Sequence, residues 1–261
     1  MSFQPYVPVG GLAGWRFLER TLATQKAAHA QAPDLTRDMA HFRENIAGID
    51  SAEALVADRR LLSVALAAFG LSDDIDSRFL IRKVLEDGTS DPEALANRLT
   101  DARYRDLSAA FGFGDATPPN TGAPGFADRI EARFRDRTFE VALGRTSDTM
   151  RLALNARREM AALAVDDGTN RTKWFTILGT APLRKVVEGA LGLPSTFAAL
   201  ELDRQVEILE SRSAATFGSD RVSDLGTRHL DRLLDRFTAT ADLSGGGTAV
   251  TSPALVLLRG Y

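Results

Sequence analysis

The chain contains no cysteine. Disulfides, thiolate zinc sites and cysteine nucleophiles are thereby excluded together. No apolar run approaches the roughly 20 residues needed to cross a bilayer, so membrane insertion is not expected. The opening residues, Met1-Ser2-Phe3-Gln4-Pro5-Tyr6, lack a basic start followed by an apolar stretch, and no secretory signal is expected either. A cytoplasmic location follows as the default. Nor does any stretch alternate apolar and polar residues long enough to propose a strand.

What is present is a chain built to fold. Of its 261 residues, 44% are hydrophobic and 26% charged. That apolar content is enough to offset the entropy of ordering. The formal charge of −3 argues against nucleic acid as the main partner, because backbone binding needs an excess of cations. The densest basic stretch, Arg129 to Arg137, is interleaved with Asp128, Glu131, Asp136 and Glu140. At helical spacing these signs pair, which reads as a solvated face.

The apolar residues recur with a period near 3.6, and the fold class expected is all-α. Leu12, Trp15, Leu18 and Leu22 begin the pattern after an arm carrying Pro5, Pro8 and Gly10. Leu35, Met39, Phe42 and Ile46 share one face of a helix that follows Pro33. Asp50 with Glu53 resembles a capping box, and Asp58 is placed to cap a helix with Leu61, Leu62, Ala65, Leu66 and Phe69 buried. A further helix runs from Asp76 or Ser77 through Phe79, Leu80, Val84 and Leu85 to a stop at Gly88. Asp91-Pro92 signals another start, with a break near Asp101 and an end at Phe111. Helices are then expected around 126–143, 147–165, 182–191, 202–217 and 223–239.

One local device repeats. Ala68-Phe69-Gly70-Leu71, Ala110-Phe111-Gly112-Phe113 and Ala190-Leu191-Gly192-Leu193 each place glycine where a left-handed residue ends a helix. Shifting the chain by 122 positions lays Ala68 on Ala190, Leu61 on Leu183 and Val64 on Val186. Two related helical lobes, an internal duplication, are therefore expected. The expected organisation is an extended arm at 1–10, a first lobe at 11–111, a Pro/Gly linker at 112–125, a second lobe at 126–240 and a flexible tail at 241–261. That tail holds Ser244-Gly245-Gly246-Gly247 and an apolar stretch from Ala254 to Leu258.

Motifs that carry chemistry are scarce. His29, His41 and His229 have no second histidine or carboxylate at metal-site spacing on one helix, and His29 and His41 read as surface residues. Gly10-Gly11-Leu12-Ala13-Gly14 could cradle a phosphate, yet Val9 stands where the dinucleotide pattern needs glycine, and no Walker lysine follows. It reads as a turn into the first helix. Asp73-Asp74-Ile75-Asp76 resembles the head of a calcium loop, but Phe79 and Leu85 occupy the glycine and glutamate positions. Lys173-Trp174-Phe175 is an aromatic cluster expected in a core or an interface. No catalytic, cofactor-binding or metal-ligating residue is assigned, and no cofactor is expected.

Several ungapped stretches are distinctive: Gly11-Leu12-Ala13-Gly14-Trp15-Arg16-Phe17-Leu18, Phe42-Arg43-Glu44-Asn45-Ile46, Phe79-Leu80-Ile81-Arg82-Lys83-Val84-Leu85-Glu86 and Pro182-Leu183-Arg184-Lys185-Val186. With these the chain resembles, over nearly its whole length, a family of unknown function encoded among flagellar genes of alphaproteobacteria (domain of unknown function 1217 type). The resemblance implies a helical fold, flagellar association and no established active site. The expected function is non-enzymatic: assembly, export or structure of the flagellum through binding of other proteins, in the cytoplasm or after export without a cleaved signal. Two alternatives stand beside it, an enzyme with a cleft between the lobes and a helical nucleic-acid-binding regulator.

Overall fold

A computed structural model describes residues 3–116 and 118–245. Among these residues there are fourteen α-helices, four short 3-10 turns and no strand, so the all-α expectation holds. The chain divides into two compact units. The first comprises Met1–Pro5 and Thr21–Ala142, the second Tyr6–Arg20 and Leu143–Tyr261.

The first unit contains most of its helices in sequence order: the second half of α1 (Gly11–Ala30), then α2 (Pro33–Asn45), α3 (Ala52–Ala57), α4 (Arg59–Phe69), α5 (Arg78–Asp87), α6 (Leu95–Arg98), α7 (Ala102–Phe111) and most of α8 (Phe126–Gly144). Helix α4 starts where the Asp58 carboxylate accepts from the amides of Arg60 and Leu61, at 2.9 and 3.0 Å. Leu61, Leu62, Ala65, Leu66 and Phe69 turn inward and meet Phe42 and Ile46 of the preceding segment. Phe111, Phe126, Ile130 and Phe134 close the same core.

The second unit holds the first half of α1 with α9 (Asp148–Val165), α10 (Asn170–Gly179), α11 (Ala181–Leu191), α12 (Leu202–Phe217), α13 (Val222–Leu225) and α14 (Leu230–Gly245). Helix α11 packs against α9, α10 and α14. Trp15, Leu18, Met150, Trp174, Val186 and Leu233 are wholly buried.

The glycine stops are real. Gly70 and Gly192 both take a left-handed conformation, with φ of 75° and 64°. In each, the amide after the glycine reaches five residues back: Leu71 to the Leu66 carbonyl at 2.8 Å, Leu193 to that of Glu188 at 3.0 Å.

Other expectations are corrected. Ser51, not Asp50, caps α3, accepting from the Ala54 amide. Asp91-Pro92 makes a turn in which Asp91 accepts from the Glu93 amide, and the helix begins only at Leu95. The helix expected over 223–239 is two, α13 and α14, divided at Gly226. Helix α14 also runs on to Gly245, so the first five residues of the expected tail are helical, and 246–261 lie outside the described residues.

The 112–125 stretch differs most, because it is not where the units divide. Its polar side chains fasten it to the first unit. Thr121 donates to the Ile49 carbonyl at 2.6 Å, and Asn120 donates to that of Ala110 at 3.1 Å. Asp115 accepts from the amides of Thr89 and Ser90, at 2.7 and 2.8 Å at closest, and from the Thr89 hydroxyl. Burial opposes its charge, but these donors outweigh burial and hold the carboxyl at about 2. A depressed carboxyl stabilises the fold above its unfolded value, and that contribution fades as pH falls from about 4 to about 2. Asp115→Ala should therefore speed exchange of the Thr89 and Ser90 amides at neutral pH. Its stability cost, about 1 kcal/mol after allowing for solvent screening, should vanish near pH 2.

Candidate functional site

Three polar groupings and one apolar surface stand out. On the first unit, His41, Ala54, Ala57, Asp58, Arg59 and Arg60 line a shallow, open depression. His41 Nε2 lies 2.7 Å from Asp58 Oδ2, and His41 Nδ1 lies 3.3 Å from the Asn45 amide nitrogen. The ring is therefore engaged on both sides: Nε2–H donates to Asp58, and Nδ1 faces the Asn45 donor. Burial opposes ionisation of Asp58, yet the Leu61 amide, His41 and the Arg60 amide keep its carboxyl below the usual range. That carboxylate is already committed to starting α4. The pair orients the start of that helix.

In the second unit, charged groups from α1, α9 and α14 converge. Arg16 pairs with Asp235, and Arg157 pairs with Glu19 and, at 3.4 Å, with Asp231. The Arg157 guanidinium also lies over the Trp15 ring, 4.7 Å from its centroid. Burial, with the charges of Glu19 and Asp231, pushes the Asp235 carboxyl up against the pull of Arg16. Trp15 Nε1, Arg157 Nε and Asp235 Oδ1 are buried without a hydrogen-bond partner. The grouping holds the first half of α1 in the second unit.

Lys173 is the third. It is 4% exposed, and its Nζ donates to the Ala164 carbonyl at 3.2 Å and to the Ser223 hydroxyl at 3.1 Å. A cation at the end of α9 meets the negative pole of that helix. Lys173 thus ties α10 to α9 and α13. Its neighbour Trp174 is buried, as expected for an anchor.

The histidines separate. His41 is half-buried and His229 precedes α14, with its ring 6.0 Å from that of Phe217. His29 is not a surface residue. It is 8% exposed and packs edge-on to Phe139 at 5.7 Å. Burial lowers its pKa from the ordinary 6.5. Stability should then fall as pH drops below about 6.5, where the unfolded chain takes up the proton first. His29→Leu should flatten that dependence and stabilise the chain by roughly 1 kcal/mol at pH 5, measured by urea unfolding at pH 7.5 and 5.

The basic stretch also departs from a purely solvated face. Glu131 is 3% exposed and receives Arg43 of α2 at 2.7 Å. Among the described residues no group of histidines and carboxylates is arranged to hold a metal ion, and no helix is long and apolar enough to cross a membrane.

The apolar feature is Phe79. It is 84% exposed, on the face of α5 opposite the buried Ile81, Val84 and Leu85. With Arg82, Lys83 and Glu86 it lines a depression of about 240 Å³.

These features define an all-helical protein of two compact units whose polar groupings serve its own packing. A family model described as a protein of unknown function (DUF1217) matches residues 68–228, well over half of the chain. The chain belongs to that family. Its fold is shared by a crystal structure of a protein from Agrobacterium tumefaciens, with a TM-score of 0.73 and 24% sequence identity over 92% of this chain and 99% of that one. No curated protein matches the chain.

Proposed function

We propose that this is a non-enzymatic, flagellum-associated protein that acts in assembly, export or structure by binding other proteins. The flagellar part rests on the resemblance to a family encoded among flagellar genes. The binding part rests on one observation above all, the exposure of Phe79 on α5. An exposed phenylalanine keeps a full aromatic face in water, and its burial in a partner would contribute about 1.5–3 kcal/mol. Aromatic side chains ringed by charged neighbours, here Arg82, Lys83 and Glu86, recur as the anchors of protein interfaces.

The test is capture of partners from flagellated cells by the tagged full chain. Flagellar components should be recovered, and Phe79→Ser should weaken their capture about tenfold or more, with the melting temperature unchanged. Recovery of no flagellar component by the wild-type chain would count decisively against the reading. Fractionation of the same cells separates a cytoplasmic protein from one delivered to the flagellum.

A further inference from the structure

The fourteen helices fall into two sets of seven with the same order of features. Helices α4 and α11 have eleven residues each and end on the same left-handed glycine with the same bonds behind it. Helices α5 and α12 follow, each after a 3-10 turn, at Ser72–Asp74 and at Ser195–Ala199. Next come α6 and α13, single turns of four residues each, and then α7 and α14. Packing partners correspond as well. Helix α4 meets α2, α3 and α7; helix α11 meets the corresponding α9, α10 and α14, and α12 besides. By this order α1 and α2 stand before α3 as α8 and α9 stand before α10.

The compact units do not follow the two sets. Residues 126–142 of α8, the first helix of the second set, belong to the unit of α2–α7. Residues 11–20 of α1, the first helix of the first set, belong to the unit of α9–α14. We propose that the chain is a tandem duplication of a seven-helix repeat whose first helices are exchanged, α8 over nearly its whole length and α1 over its first half, so that each unit is completed by a segment of the other repeat's first helix.

The exchanged segments are core elements, as the proposal needs. Helix α8 supplies Phe126, Ile130 and Phe134 to the first core, each 3% exposed or less. Helix α1 supplies Trp15 and Leu18 to the second unit, both 0% exposed, and its Arg16 and Glu19 pair with Asp235 and Arg157. Exchange also accounts for the packed 112–125 stretch. It joins the repeats, but it leads into a helix of the same unit, so no free linker is needed.

Cleavage of the folded full chain at a protease site placed in the exposed 122–125 segment gives two pieces, each one whole repeat. The expected result is that they co-elute at the mass of the intact chain, 28.2 kDa. Each piece, parted in denaturant and returned alone to buffer, should then show no cooperative melt. Pieces that separate in native buffer, or that melt cooperatively alone, overturn the proposal, since either means that a repeat closes on its own first helix.

Discussion

Trp174→Ala is expected to lower the unfolding free energy by about 3–5 kcal/mol. The indole is 0% exposed on α10, and its Nε1 donates to the Asp220 carbonyl at 3.1 Å. Alanine removes the largest contact surface of that helix and leaves a cavity that backbone atoms cannot fill. It also removes one of the two donors to the Asp220 carbonyl, leaving the Asn170 side-chain amide at 3.1 Å. Trp174→Phe keeps most of the volume and loses only the hydrogen bond, so a cost of about 1–2 kcal/mol is expected. Urea unfolding followed by helical circular dichroism measures both. The remaining tryptophan, Trp15, gives an independent fluorescence signal from the same unit. An alanine variant within about 1 kcal/mol of wild type would mean that α10 is not packed as described.

Gly226→Ala should cost about 3 kcal/mol, at the upper end of overpacking effects. A Cβ at this position would lie 2.2 Å from the Met160 carbonyl oxygen and 2.8 Å from the Ala164 Cβ. The first of these is backbone of α9, which cannot swing aside as a long side chain would. The short helix α13 would have to lift from α9, and the Lys173 bond to Ser223 would go with it. Gly179→Ala is the control. Nothing lies within 4 Å of its Cβ site, and helix propensity favours alanine, so the change should be neutral or slightly stabilising. Thermal melts of the two variants side by side decide the matter. Equal melting temperatures would show that α13 does not approach α9 so closely.

Much of the helical skeleton was legible before any coordinates. Helix α12 spans the residues expected of it, and Ser147, Asp58 and the glycines after Phe69, Phe111 and Leu191 mark helix ends as their chemistry implies. Helix α10 was not legible, because its inner face mixes Trp174, Ile177 and Leu178 with Lys173 and breaks the apolar stripe. The same mixing hid half of α1. Trp15 and Leu18 open its inner face, but Gln25 and His29, each 8% exposed, continue it. The exposed face of α5 follows from periodicity alone. Phe79 shares its helical face with Arg82, Lys83 and Glu86, while Ile81, Val84 and Leu85 face the core, so the period of α5 itself leaves it in solvent.

What the amino-acid order determined by itself was local: where a turn of helix is favourable, where a side-chain oxygen can start it and where a glycine must end it. These follow from backbone sterics and hydrogen bonds within a few residues. Tertiary structure alone decided which core each helix enters. Burial is non-directional, so an apolar face on α1 or α8 specifies that it must be covered and not by what. The proline-rich stretch made the same point in reverse, since its composition marks a break in the helix while Asp115, Asn120 and Thr121 bind it into a unit.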